Sequence, residues 1–221
     1  MIHYDYLVRM LEEFTSTLAR VAKLREGALP VEAGRLVDGE CRKLAGDDRE
    51  ALLRLSATEL LARLARAGTA LEMRHRALFL VALLREDGDL AAEAGEVGRG
   101  REAHLKALEV LLEVLATPGV GEYPAFAPTV EGLRACLEGE PLPPLLAARL
   151  MHHYERSGEY ASAEDVLHAL VEELSGGSGE AEARAFGVAF YRRLLACDDA
   201  ALERGRLPRS EVESGLAALR A

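Results

Sequence analysis

Six histidines, three cysteines and a large stock of carboxylates are the groups with which this chain could bind metals or move protons. Glu72 and His75 form a Glu-x-x-His step, which places a carboxylate and an imidazole on one helix face. Di-iron carboxylate bundles need two such steps and two further carboxylates. No second copy occurs, because Glu164 and His168 are spaced by four. His152 and His153 are adjacent, so on a helix they diverge by about 100° and do not easily share one ion. His168, on the next helix, could meet one of them. A metal-binding protein or enzyme using Glu72, His75, His152 and His168 is therefore one reading. The simpler reading is coincidental pairing in a Glu-rich chain, with no catalytic residue, no metal ligand set and no cofactor.

Other constellations carry less. Gly95-Glu96-Val97-Gly98-Arg99-Gly100 resembles a phosphate loop only in its glycines: no strand precedes it, and the Lys and Ser/Thr of a P-loop are missing. A connecting loop is expected there. No Gly-x-Ser-x-Gly, His-Glu-x-x-His or dinucleotide fingerprint occurs. Cys41, Cys136 and Cys197 are odd in number, widely spaced and without a Cys-x-x-Cys, which argues against a disulfide framework or a zinc site. Cys41 follows Val37 by four residues and falls on the apolar side of its helix, as a buried thiol acting as a small hydrophobe.

These residues sit in a chain of 221, 49% apolar and 29% charged, which is the balance of a globular protein. The longest apolar run, Ala77 to Leu84, is far short of the roughly 20 residues of a membrane span. Asp5, Glu12 and Glu13 interrupt the N-terminus, so no signal peptide is expected and the protein is placed in the cytoplasm. A net charge of -10 disfavours nucleic acid and anionic membrane as partners. Asn and Gln are absent and arginine far outnumbers lysine, which points to a GC-rich genome.

Helix formers fill most segments and no strand pattern is present. The first helix is expected at about 4–25, where Leu7, Leu11, Phe14, Leu18 and Val21 recur in steps of four and three and make a narrow apolar seam. Further helices are expected at about 31–44, 57–67, 70–86, 101–116, 130–137, 144–157, 160–174 and 180–197, with a last one starting at Pro208 and Ser210. Gly88 is expected to break the helix that carries Leu71, Leu78, Val81 and Leu84. Ser56/Glu59, Thr69/Glu72 and Ser210/Glu213 have capping-box spacing. Residues 117–144 gather six prolines and four glycines. We read the chain as one helical domain, 1–221, with possible halves 1–117 and 140–221 joined by that segment.

Short helices in antiparallel pairs suggest a solenoid. In LMHHYERSGEYASAEDVLHAL, Leu150, Tyr154, Gly158, Tyr160, Ala163 and Leu167 stand at tetratricopeptide-repeat spacing. Gly158 permits the tight turn, and Ala163 lets two helices approach. Met151 and Leu170 depart from the pattern, so the repeat is degenerate. A weaker copy has Leu80, Leu84 and Gly88, then, after an insertion, Ala103 and Ala107. The whole chain also resembles an uncharacterised bacterial family of tetratricopeptide-like proteins, in DYLVR (Asp5 to Arg9), ALFLVALLREDGDL and DDAALERGRLPRSEVESGL. That resemblance implies an all-α fold of stacked helical hairpins and no known activity.

Tetratricopeptide arrays line a concave groove with first-helix positions. By the resemblance these are Leu145, Ala148, His152, Glu155 and Arg156 in the better repeat, and His75, Leu78, Ala82, Arg85 and Glu86 in the weaker one. A groove mixing Arg, His and Glu suits a peptide or its terminal carboxylate. The expected function is a non-enzymatic interaction or scaffold module for a protein or peptide partner. The alternative is a structural homodimer through the seam Leu7, Leu11, Phe14, Leu18 and Val21.

Overall fold

Two helix starts are fixed by the side chains the sequence nominated. Ser56 accepts from the Glu59 N–H while the Glu59 carboxylate takes the Ser56 N–H, and Thr69 and Glu72 do the same. The third pair does not form a box. Its helix begins at Arg209, one residue before Ser210, because Pro208 supplies the first accepting carbonyl, to the N–H groups of Glu211 and Val212.

The computed structural model describes residues 2–66, 68–117 and 123–220, with the side chains of 2–5 excepted. All regular structure among them is helical. Residues 118–122 of the Pro/Gly-rich segment lie outside that set. Contacts divide the chain into two compact units, Met1–Glu138 and Gly139–Ala221.

The first unit holds α1 (Ile2–Glu26), α2 (Pro30–Ala45), α3 (Arg49–Leu53), α4 (Ala57–Leu64), α5 (Ala70–Glu93), α6 (Val97–Ala116) and α7 (Val130–Ala135). Helix α5 is its centre. Ala77 to Leu84 are buried on every side, as expected of a helix without a polar face. Helices α1, α2, α4 and α6 pack around it. From the α1 seam, Phe14 stacks on Phe79 with centroids 3.8 Å apart and Val21 is fully buried, whereas Leu7, Leu11 and Leu18 are only half-buried. Leu71 is likewise half-buried.

Helix α5 does not stop at Gly88; it runs five residues further, to Glu93. Helix α6 begins at Val97, so the glycine-rich stretch is mostly the first turn of a helix rather than a loop. The physical reason is shared. Gly88 and Gly100 face each other where α5 and α6 cross, and a Cβ on Gly100 would lie 2.8 Å from the Gly88 carbonyl oxygen. Glycine here serves close approach, and its helix cost of about 1 kcal/mol is tolerated.

The second unit holds α8 (Pro144–Ser157), α9 (Tyr160–Glu173), α10 (Glu180–Leu195), α11 (Asp199–Arg204) and α12 (Arg209–Arg220). The short α11, capped by Asp198, has no counterpart in the periodicity reading. Helices α8 and α9 form a hairpin. Gly158 turns it in the left-handed region at φ 78°, and Leu150, Tyr154, Ala163 and Leu167 are buried between its arms. Helix α10 packs on α9 and more extensively on α12.

Candidate functional site

The groove residues of the better repeat open into a cleft of the second unit. His152, Glu155 and Arg156 project from α8 in the last two turns before Gly158. They meet Tyr160 at the start of α9 and Arg193, Leu194 and Cys197 from α10 and its end, around a cleft of about 330 Å³. Glu155 is clamped by Arg193 through two bonds of 2.6 and 2.8 Å. That carboxylate holds the Arg193 guanidinium still further above its ordinary range. His152 lies 3.6 Å from the Glu155 carboxylate and edge-on to Phe186. Arg156 is exposed and has no ion pair or hydrogen bond among the described residues, so its guanidinium faces the cleft without a counter-charge. Leu145 is exposed at 68% and Ala148 is half-buried.

The corresponding α5 positions sit differently. His75 is buried and donates from Nδ1 to the Leu71 carbonyl at 2.8 Å. Leu78 and Ala82 are in the core. Glu86 accepts from Arg25 at 2.6 Å; burial pushes its carboxyl above the usual range against the pull of that arginine. Arg85 is half-buried, its Nε enclosed and without a hydrogen-bond partner. These residues line the packed centre of the first unit.

Of the residues in the metal reading, Glu72 and His75 lie in the first unit and His152 and His168 in the second. Glu72 is spent on its capping box and His75 on a backbone carbonyl, both in the first unit. In the second unit, Tyr191 donates to Glu164 at 2.6 Å and lies 3.3 Å from His168 Nε2.

Two polar groupings in the first unit had no local sequence signal. Asp87, fully buried in α5, is held by Arg49 at 2.7 Å and by Arg99 at 2.8 and 2.9 Å. Two residues on, Asp89 accepts from His104 Nε2 at 3.0 Å and from Arg25 at 3.0 Å. Burial raises the Asp89 carboxyl, but the His104 bond and the charges of Arg25 and Arg85 outweigh it and leave the pKa below the usual range. Cys136, at the end of α7, lies beside this pair. A second cleft in the same unit, about 380 Å³, has Met10, Phe14, Leu64 and Phe79 as apolar walls and Lys43, Arg63, Arg66 and Arg76 among its polar ones.

The chain belongs to a family of unknown function, DUF6483. The family model covers residues 1–221. No curated protein and no solved structure matches the chain. Among the described residues of this DUF6483 chain, no helix is long and apolar enough to cross a membrane. Membership therefore brings no assigned chemistry, and the clefts carry the functional reading.

Proposed function

We infer that the protein is a non-enzymatic binding module whose second unit works as a degenerate tetratricopeptide-like pair of hairpins, α8/α9 and α10/α12. The observation that carries this reading is the composition of the 330 Å³ cleft: its walls come from α8 and α10, the first helices of the two successive hairpins. That is where arrays of this kind accept peptides.

The chemistry of the cleft favours a peptide ending in a free carboxylate. Arg156 is uncompensated, whereas Arg193 is already neutralised by Glu155 and serves to fix that wall. Leu194 gives apolar contact, and Tyr160 adds a hydroxyl. A volume of this size sits at the low end of ligand pockets, about 300–1,000 Å³, enough for a terminal residue and its carboxylate. The ligand is a segment of a partner protein.

A library of C-terminal peptides, each made with a free and an amidated terminus, tests the reading. Binding that is lost on amidation and weakened at least tenfold by Arg156→Ala supports it. Absence of any binder, or binders indifferent to both changes, overturns it.

A further inference from the structure

We propose that Asp89, His104 and Cys136 form a binding site for one zinc-like divalent cation in the first unit, with an open fourth coordination position. One donor atom from each residue lies within 4.8 Å of the others, and the three residues come from α5, α6 and the end of α7. A carboxylate, an imidazole and a thiolate are the donor types of a borderline-soft cation that prefers four-fold, tetrahedral surroundings.

The site is built by the fold rather than by chance proximity. Gly88 leaves room for the His104 ring, since a Cβ there would sit 2.3 Å from ring Cδ2 and Nε2. His104 is only 5% exposed. Arg25 holds Asp89 Oδ2 at 3.0 Å, which leaves Oδ1 as the inward donor. That is the outer support a metal-binding carboxylate needs. Cys136 Sγ donates to the Gly132 carbonyl at 3.3 Å, and rotation about its Cα–Cβ bond exchanges that contact for the metal.

Three protein donors leave the fourth position of a tetrahedral ion to solvent or an anion. The Arg85 guanidinium lies beside both Asp89 and Cys136 and hydrogen-bonds the latter.

The proton balance is simple. The cation replaces the thiol proton of Cys136, which leaves to solvent. Coordination at His104 Nε2 replaces its hydrogen bond to Asp89 Oδ1, and the proton on that nitrogen moves to Nδ1 or leaves to solvent. No redox step is involved.

Titration of the full chain with Co²⁺, followed by Zn²⁺ competition, is the test. The expected result is a sulfur-to-cobalt charge-transfer band saturating at one equivalent and abolished by Zn²⁺. The band should be lost in Cys136→Ser and retained in Cys41→Ser and Cys197→Ser. His104→Ala risks misfolding, so Asp89→Asn serves as the second variant, with Zn²⁺ affinity expected to fall at least about tenfold, the lower limit even for outer-shell changes. No band in the wild type, or a band that survives Cys136→Ser, overturns the proposal.

Discussion

Gly88 presents bare backbone to the imidazole of His104, and a Cβ at that position would lie 2.3 Å from two ring atoms. Gly88→Ala therefore sets two effects against each other. Helix propensity alone favours alanine by about 1 kcal/mol, while overpacking costs about 1–3 kcal/mol. The clash should win, because His104 is buried and its ring is held on α5 by the Asp89 hydrogen bond, so it cannot easily move away. Gly39→Ala in α2 is the matched comparison: nothing lies within 4 Å of its added Cβ, so it should stabilise by about 0.5–1 kcal/mol. Urea denaturation of the two variants should move the midpoint in opposite directions.

Asp87 is the anion on which Arg49 and Arg99 converge. Asp87→Ala leaves two guanidinium groups facing a buried gap. Removing one partner of a fully buried pair costs about 3–5 kcal/mol; Arg49 and Arg99 retain 22% and 24% exposure, so a loss of about 2–4 kcal/mol is expected. A midpoint unchanged in chemical denaturation would show that the arginines find other partners.

Glu164 gives a pH prediction. Burial raises its carboxyl above its ordinary value of about 4.5, and the Tyr191 hydrogen bond only partly opposes this. The folded state thus holds the proton more tightly than the unfolded state does. The contribution of Glu164 is most favourable below about 4.5 and declines as pH rises through the folded value. Glu164→Gln removes that decline, so its stability relative to wild type should improve between pH 4 and pH 7. Paired denaturation curves at the two pH values check the sign.

Cys41 should resist alkylation in the folded protein. It is fully buried, and burial, with Asp87 and Asp38 nearby, pushes its thiol up to about 12. Cys197, half-exposed in the α8–α10 cleft, should be alkylated before Cys41 at pH 8. Peptide mapping after a short iodoacetamide pulse decides; equal labelling of the two would refute the assignment.

Much of the helical layout was readable because its signals are local. The Ser56/Glu59 and Thr69/Glu72 boxes and the Gly158 turn each act within a few residues. Gly88 misled for an instructive reason: a glycine inside a helical pattern looks like a stop, and only the arrival of His104 on α6 explains it. Burial of His75 was equally hidden, since α5 is apolar on all sides and periodicity cannot choose a groove face. On α8 the amphipathic pattern is clear, and His152, Glu155 and Arg156 do share a cleft. The Asp89–His104–Cys136 grouping left no short spacing to find: the first two are 15 residues apart, and the third comes from another helix.

The Asp87 arrangement has a kinetic consequence. One carboxylate in α5 ties the start of α3 and the first turn of α6, so neither end can lift away without exposing the same charge. Opening of these segments should occur as one cooperative event, and their slowest amides should exchange with a common free energy instead of fraying independently. The 24-residue helix at the centre of the unit would then act as the last element to yield to solvent.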